Sequence, residues 1–210
     1  MPPVASASDT LVIVGLGNPG PKHAADRHNV GFWFVDQLAA HLGGRFASEA
    51  RFEAEECRVT MSGRTVRLVK PATFMNRSGR SARKVLDYYA VPPEQLLVVH
   101  DELDLSPGTA RLKKGGGHGG HNGLRDIVAT CGADFLRLRL GIGHPGHKDL
   151  VTDYVLHAPG KAERAQILDA MAEALPAVEI LAASGLEKAM QRLHTSTPRT
   201  DATGEFGPAG

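Results

Sequence analysis

Residues suited to acid–base chemistry lie at the end of an apolar run and in the glycine-rich segment that follows it. Asp101 closely follows the apolar run, and residues 115–123 are Gly-Gly-Gly-His-Gly-Gly-His-Asn-Gly. Because glycine loses more entropy on ordering than any other residue, packing gives no reason for such a segment. A loop this bare instead lets a large ligand approach the backbone. Together with Asn18, His28 and Asn76 upstream, it predicts a hydrolytic site that faces a nucleic acid.

His28 is the candidate general base. It lies between the glycine turn at 15–20 and a predicted helix, where an imidazole can titrate near working pH. Asp101 could bond one ring nitrogen, fix the tautomer and leave the other nitrogen free to take a proton from water. No serine or cysteine lies in a nucleophile motif such as Gly-x-Ser-x-Gly, which favours direct attack by water. The structural alternative is that His28 only caps the helix.

Two further motifs could indicate a cofactor or a metal. Gly-x-Gly-x-x-Gly at 15–20 matches the dinucleotide fingerprint, but prolines flank its last glycine and no suitably spaced acid would hold a ribose. We prefer a glycine turn that positions the asparagine within it. His100-Asp101 and His118-x-x-His121 could bind a metal, but neither has further ligands at the required spacing. We therefore expect no cofactor and no metal.

Strands and helices alternate along the chain, which is typical of an α/β fold with helices on both faces of a mixed sheet. We predict one domain over 10–194 with a central, mostly parallel twisted sheet. Predicted strands cover 11–14, 52–60, 65–69, 96–99, 109–112 and 136–142. Predicted helices cover 29–42, 78–89, 123–130, 161–174 and 176–193.

Local patterns refine this outline. Asn18, Asn76 and Asp101 each follow a predicted strand, and all three could meet at one edge of the sheet. Ser78 and Asn122 are the expected helix caps.

The sequence Leu-Arg-Leu-Arg-Leu at 136–140 predicts a half-buried strand with Arg137 and Arg139 on its open face.

Composition places the chain among globular proteins. Its 210 residues, 42% hydrophobic and 22% charged, fit one domain with a real core. We expect a flexible N-terminal arm at 1–9 and a disordered tail at 195–210. Two cysteines are too few for a disulfide framework, and no apolar run is long enough for a membrane. A reducing cytoplasm is the expected location.

Charge is unevenly distributed along the chain. Residues 64–84 carry seven Lys or Arg and no acid, and residues 111–148 carry seven against two acids. From 149 onward nine acids face five bases. This pattern favours one positive face for an anionic partner such as RNA. The alternative is an uneven solvated surface.

Six motifs occur in the order found in bacterial-type peptidyl-tRNA hydrolases, and the chain resembles that family from about residue 11 to 193. The motifs lie at 13–20, 27–31, 70–79, 100–104, 115–123 and 141–146. The resemblance implies a monomer with one mixed sheet surrounded by helices. It also implies metal-independent cleavage of the ester between a peptide and the 3′ end of tRNA, which recycles tRNA from abandoned translation.

The resemblance further implies roles for individual side chains. His28 would activate water and Asp101 would hold it in its basic form. Asn18 would help to distinguish a blocked amino group, and Asn76 is the leading candidate donor to the oxyanion. Asn122 would bind the peptide and ester region.

The remaining implied contacts concern the cleft and the tRNA. Phe74 and Met75 would line the cleft. Lys113, Arg139, Lys148 and the glycine loop with His121 would meet the phosphates of the acceptor stem and 3′ end.

Two residues depart from the family pattern. His23 stands where a tyrosine counted among the tRNA contacts is usual, and Asp26 replaces a usual threonine. An imidazole can still stack, but it is smaller and can become cationic. We expect this tRNA contact to be weaker or dependent on pH.

Two other functions compete with hydrolysis. A non-catalytic RNA-binding protein on the same fold would bind RNA and cleave nothing, although intact Asn18, His28, Asn76 and Asp101 argue against it. A nucleotide-dependent oxidoreductase would use the fingerprint at 15–20, and stabilisation by NAD or FAD would reveal it.

Overall fold

A seven-stranded mixed sheet forms the centre of the computed structural model, which describes residues 9–195. The strands are β1 Thr10–Gly15, β2 Ala47–Glu49, β3 Ala54–Met61, β4 Arg64–Pro71, β5 Leu96–Glu102, β6 Ala110–Lys114 and β7 Leu136–Gly141. Their order is β2-β3-β4-β1-β5-β7-β6. The four central strands, β4, β1, β5 and β7, run parallel, and antiparallel strands extend both edges. The predicted fold class is confirmed.

Six α-helices within the described residues cover both faces of this sheet. They are α1 Val30–His41, α2 Ser78–Tyr88, α3 Asn122–Cys131, α4 Val151–Val155, α5 Lys161–Ser184 and α6 Leu186–His194. Side chains alternate between the faces of a strand, so β1 contributes Leu11 and Ile13 to the core beneath α1, α5 and α6. Val12 and Val14 join the core beneath α2 and α3. Burial on both faces is why the central strands are continuous apolar runs.

The C-terminal helices divide at a different residue from the one predicted. We expected a break next to Pro176, but α5 continues through it and ends at Gly185, whose φ is 88°. Proline removes one helical hydrogen bond. Ala174, Ala177 and Val178 are nevertheless fully buried around it, so packing holds the helix together. Gly185 can adopt the left-handed conformation that ends the helix.

Both predicted helix caps are wrong by one residue. Arg77 is the N-cap of α2, and the Ser78 hydroxyl donates instead to the carbonyl of Met75 at 2.8 Å. His121 is the N-cap of α3 and its ring replaces the expected Asn122 side chain. An imidazole nitrogen can accept backbone N–H groups as a carboxamide oxygen does.

Several smaller differences follow from tertiary contacts. β2 and α4 were not predicted because each is only a few residues long. Arg137 was expected on an open face but is 2% exposed, because the glycine loop covers that side of β7. Arg139 is partly buried there. Except for Asp9 and Thr195, the predicted arm at 1–9 and tail at 195–210 lie outside the described residues.

Candidate active site

A cleft of about 630 Å³ lies where the central parallel strands end. Asn18 follows β1, Asn76 follows β4 and Asp101 is close to the end of β5. All three line this cleft together with His28 and His121. Parallel neighbours place their carboxyl ends at the same edge of the sheet, so the predicted meeting of these residues is confirmed.

His28 and Asp101 form a direct hydrogen-bonded pair. His28 Nδ1 lies 2.9 Å from Asp101 Oδ1 and 3.0 Å from Oδ2. A carboxylate accepts, so Nδ1 carries the proton and Nε2 is left with a free lone pair. Within residues 9–195, His28 Nε2 has no hydrogen-bond partner. This is the tautomer that a general base requires.

A second histidine shares the same carboxylate. His121 Nε2 lies 2.8 Å from Asp101 Oδ1, and the rings of His121 and His28 are 4.7 Å apart. His121 Nδ1 accepts the backbone N–H groups of Gly123 at 3.1 Å and Leu124 at 3.3 Å. Its proton must therefore lie on Nε2 and point at Asp101. The N-terminus of α3 fixes the His121 tautomer, and sequence alone gave no signal of this contact.

The electrostatics of the pair favour a charged Asp101 beside an ionisable His28. Burial raises the pKa of Asp101, but His28 and His121 outweigh burial and hold that pKa well below its usual range. Burial lowers the pKa of His28, but the Asp101 carboxylate reverses this and raises the His28 pKa above its ordinary value. Asp101 is thus an anion throughout the working range of His28.

His100 has no comparable role as a base. Burial, together with the nearby His121, lowers the pKa of His100 to about 3. Its Nδ1 donates to the carbonyl of Asp101 at 2.7 Å. His100 is therefore neutral, and it packs edge-on against the His121 ring.

Arg27 fixes the turn that carries His28. Arg27 is buried, and its Nε and Nη2 donate to the two carboxylate oxygens of Glu163 at 2.6 and 2.7 Å. Nη1 donates to the carbonyls of Tyr154 and His157 at 3.1 Å each. The turn that carries His28 is thereby tied to α4 and to the start of α5, which are both distant from it in sequence. Two-point pairing between guanidinium and carboxylate gives such a junction a defined geometry.

Asn18 is held by two neighbours. Its backbone N–H donates to Asn29 Oδ1, and the Asn29 amide donates to the Asn18 carbonyl, both at 2.9 Å. The Asn18 side-chain oxygen accepts the backbone N–H of Met75 at 2.9 Å. Since the oxygen is occupied, the amide nitrogen is the group available as a donor in the cleft.

The other predicted substrate contacts differ in exposure. Met75 is buried and lines the cleft beside the exposed Asn76. Phe74 is 63% exposed and lies outside the cleft lining. Asn122 also lines the cleft, where its side-chain oxygen accepts from Arg125 at 3.2 Å.

Lys113, Arg139 and Lys148 all line the same cleft. Arg139 Nε donates to Glu102 at 2.8 Å. Over the described range 9–195, neither lysine forms an ion pair with a carboxylate. The accessible positive charge of the cleft therefore comes chiefly from the two ammonium groups, because Arg137, which also lines the cleft, is buried.

Most of the basic residues at 64–84, in contrast, form ion pairs with carboxylates. Its ion pairs are Arg67 with Glu56, Lys70 with Asp36 and Glu55, Arg80 and Lys84 with Glu53, and Arg83 with Asp87. A run of basic residues in the sequence therefore does not itself define the positive surface.

The two residues that depart from the family pattern bond to each other. His23 Nδ1 lies 2.8 Å from Asp26 Oδ2, and His23 is outside the cleft lining. Asp26 immediately precedes the 3-10 turn Arg27–Asn29 that carries the candidate base. These two departures therefore form one structural unit.

His28, Asp101 and His121 could also share a metal ion. Their ligand atoms all lie within 4.8 Å of one another. Hydrogen bonds already use Asp101 Oδ1 and both ring nitrogens of His121, so a metal would have to replace those bonds. His118 is not part of this group, and its Nδ1 instead accepts from Gly120 N–H at 3.1 Å.

No helix among the described residues is long and apolar enough to cross a membrane.

Known proteins match this chain over most of its length. The profile of the peptidyl-tRNA hydrolase family matches residues 12–201. The chain is 48% identical to the peptidyl-tRNA hydrolase of Haemophilus influenzae over 190 residues, which cover 90% of this chain and 98% of that protein. It is 52% identical to that of Xanthomonas campestris over 185 residues, which cover 88% and 96%.

A solved structure agrees with these relatives. The crystal structure of peptidyl-tRNA hydrolase from Acinetobacter baumannii superposes with a TM-score of 0.88 at 46% identity, covering 91% of this chain and 97% of that one. The chain belongs to the peptidyl-tRNA hydrolase family.

Proposed function

We propose that this chain hydrolyses the ester between a peptide and the 3′ end of tRNA with His28 as the general base. Membership of the family supports the reaction. The observation that supports the mechanism is the His28 tautomer, with Nδ1–H on Asp101 and Nε2 free in the cleft. A histidine in this state can accept a proton only from a group inside the cleft, and water is the reactant that hydrolysis requires.

The chemistry takes two proton transfers. His28 Nε2 takes a proton from water while the water oxygen bonds to the ester carbonyl carbon, forming a tetrahedral oxyanion. The bond to the ribose oxygen then breaks, and the imidazolium returns the proton to that oxygen. The products are a peptide carboxylic acid, ionised at neutral pH, and tRNA with a free 3′ end. Asp101 stabilises the transient imidazolium between the two transfers.

Two amides would serve the ester and the peptide. Asn76 is exposed at the cleft, where its amide N–H could donate to the oxyanion. Asn18 offers its side-chain N–H, since its oxygen is occupied by Met75. That donor suits the acyl carbonyl of a blocked amino group better than a free cationic amine. Asn122 would contact the peptide from the start of α3.

The tRNA would lie along the basic side of the cleft. Lys113, Lys148 and Arg139 line this side of the cleft, and they would meet phosphates of the acceptor stem and 3′ end. The bare glycines between Lys113 and His121 leave room for the nucleic acid backbone. We further propose that the enzyme acts as a monomer and without a metal, because every role above is filled by side chains of one chain.

The test compares N-acetyl-aminoacyl-tRNA with free aminoacyl-tRNA, using wild type and His28→Ala in the presence of EDTA. We expect acyl release from the blocked substrate only, and a rate on the order of 10²- to 10⁴-fold lower in His28→Ala. Loss of wild-type activity in EDTA would disprove metal independence. A wild-type protein that binds tRNA but releases nothing, with or without added metal, would be an RNA-binding protein on this fold.

A further inference from the structure

Arg137 is a buried cation that the mechanism leaves without a role. It is 2% exposed, and its Nε is buried with no hydrogen-bond partner in the described part of the chain. Its guanidinium lies 4.7 Å from the centre of the Phe135 ring. Burial lowers the pKa of Arg137 from its ordinary value. Burying a charge without an opposite charge is costly, which suggests that this arginine has a specific task.

Among residues 9–195, the hydrogen bonds of Arg137 go to the glycine loop. Arg137 Nη1 donates to the carbonyl of Gly117 at 2.5 Å, and Nη2 donates to the carbonyl of Gly116. The other buried arginine, Arg27, instead pairs with the carboxylate of Glu163. Arg137 therefore hydrogen-bonds to backbone carbonyls, whereas Arg27 pairs with a carboxylate.

The glycine loop needs such an anchor. Gly116 has φ of 104°, a conformation that only glycine adopts easily, so the loop has no side chains there to hold it down. Its start is fixed by the Gly115 N–H, which donates to the Phe135 carbonyl at 2.9 Å. Its end is fixed by the hydrogen bond from His121 Nε2 to Asp101 Oδ1. Arg137 holds the stretch between these two points, where Gly117 lines the cleft.

We propose that Arg137 is a positioning residue that holds the glycine loop against β7 in the shape that receives tRNA. It acts through the loop and touches no reacting atom. His121 keeps its own bonds to the N-terminus of α3, so losing Arg137 frees the middle of the loop and leaves the base undisturbed. The kinetic consequence rests on the proposed function, whereas the ordering of the loop does not.

The test compares Arg137→Met, which keeps the volume and removes both donors, with Arg137→Lys, which keeps a cation. Arg58→Met is the matched control, because Arg58 is exposed on β3, far from the cleft. For Arg137→Met we expect KM for N-acetyl-aminoacyl-tRNA to rise on the order of tenfold, as for a lost charge-assisted bond. We expect kcat to stay within about twofold because the base is unchanged. The lysine variant should lie between, with KM raised about threefold.

Hydrogen exchange gives a second readout that needs no catalysis. Loop amides at 116–120 should exchange faster in Arg137→Met, while amides of β7 and α3 keep their protection. Unchanged KM and unchanged loop exchange would overturn the proposal, as would a fall in kcat without a rise in KM. If Arg137→Met does not fold, the lysine variant decides by the same two measurements. If wild type releases no acyl group, the proposed function fails and loop exchange alone decides the role of Arg137.

Discussion

Asp101→Asn should abolish most activity by changing which nitrogen of His28 carries its proton. Asp101 accepts from His28 Nδ1 and from His121 Nε2, whereas asparagine has one oxygen that accepts and one nitrogen that donates. His121 cannot give up its Nε2 proton because two backbone N–H groups occupy its Nδ1. The new amide oxygen therefore stays with His121, and the NH₂ group replaces Oδ2, which lies 3.0 Å from His28 Nδ1. Because this NH₂ group donates toward His28 Nδ1, it favours the tautomer in which Nδ1 accepts and Nε2 carries the proton, and in that tautomer His28 cannot act as a base.

The size of the effect follows from this tautomer argument. When a carboxylate that orients a histidine base is replaced by its amide, kcat falls on the order of 10³- to 10⁴-fold. We expect that loss in single-turnover hydrolysis, with the Kd for deacylated tRNA changed by less than about twofold. Equal losses in binding and turnover would show that Asp101 does not act through His28.

A double variant provides a sharper control. Removing the competing donor with His121→Phe should free the asparagine oxygen for His28. The double variant Asp101→Asn with His121→Phe should therefore hydrolyse the substrate about tenfold faster than Asp101→Asn alone. In the otherwise wild-type protein, His121→Phe should instead slow hydrolysis. A double variant no faster than the single one would refute the tautomer argument. Unfolding curves for each protein are needed, since His121 also caps α3.

Two further predictions concern pH and salt. Because the pKa of His28 is raised and the base must be neutral, kcat/KM should fall as pH drops through a midpoint above the ordinary value of 6.5. Asp26→Asn removes a nearby negative charge that raises this pKa, so the midpoint should move to lower pH; a midpoint that rises would contradict this assignment. Lys113→Ala with Arg139→Ala should weaken tRNA binding and reduce the slope of log Kd against log salt by roughly 1.5 to 2. An unaltered slope would place the tRNA on another surface.

The sequence predicts much of this fold because its strands are buried on both faces. Apolar runs such as 96–99 can form little other than central strands, and strand ends then place Asn18 and Asp101 at one edge. His28 could be proposed as a general base because it lies between the glycine turn at 15–20 and a predicted helix, with Asp101 as its candidate partner.

What the sequence could not predict depends on contacts between distant segments. Alternation along β7 predicts two exposed arginines, but the glycine loop folds over Arg137 and buries it. His121 also lies 20 residues from Asp101, and no periodicity reports which carboxylate it will meet. The position of the break near Gly185 depends on packing around Pro176 rather than on local propensity.

The sharing of Asp101 by two histidines has a consequence for inhibitor design. When His28 is in its basic form, Asp101 gives its end of the cleft a negative charge, to which Asp104 adds, whereas Glu102 is paired with Arg139. Lys113 and Lys148 give the tRNA side the opposite sign. A small competitive inhibitor should therefore be polarised, with a hydrogen-bond donor or cation toward Asp101 and an anionic group toward the lysines. A uniformly anionic phosphate mimic would meet repulsion at the catalytic end and would bind only at the tRNA side.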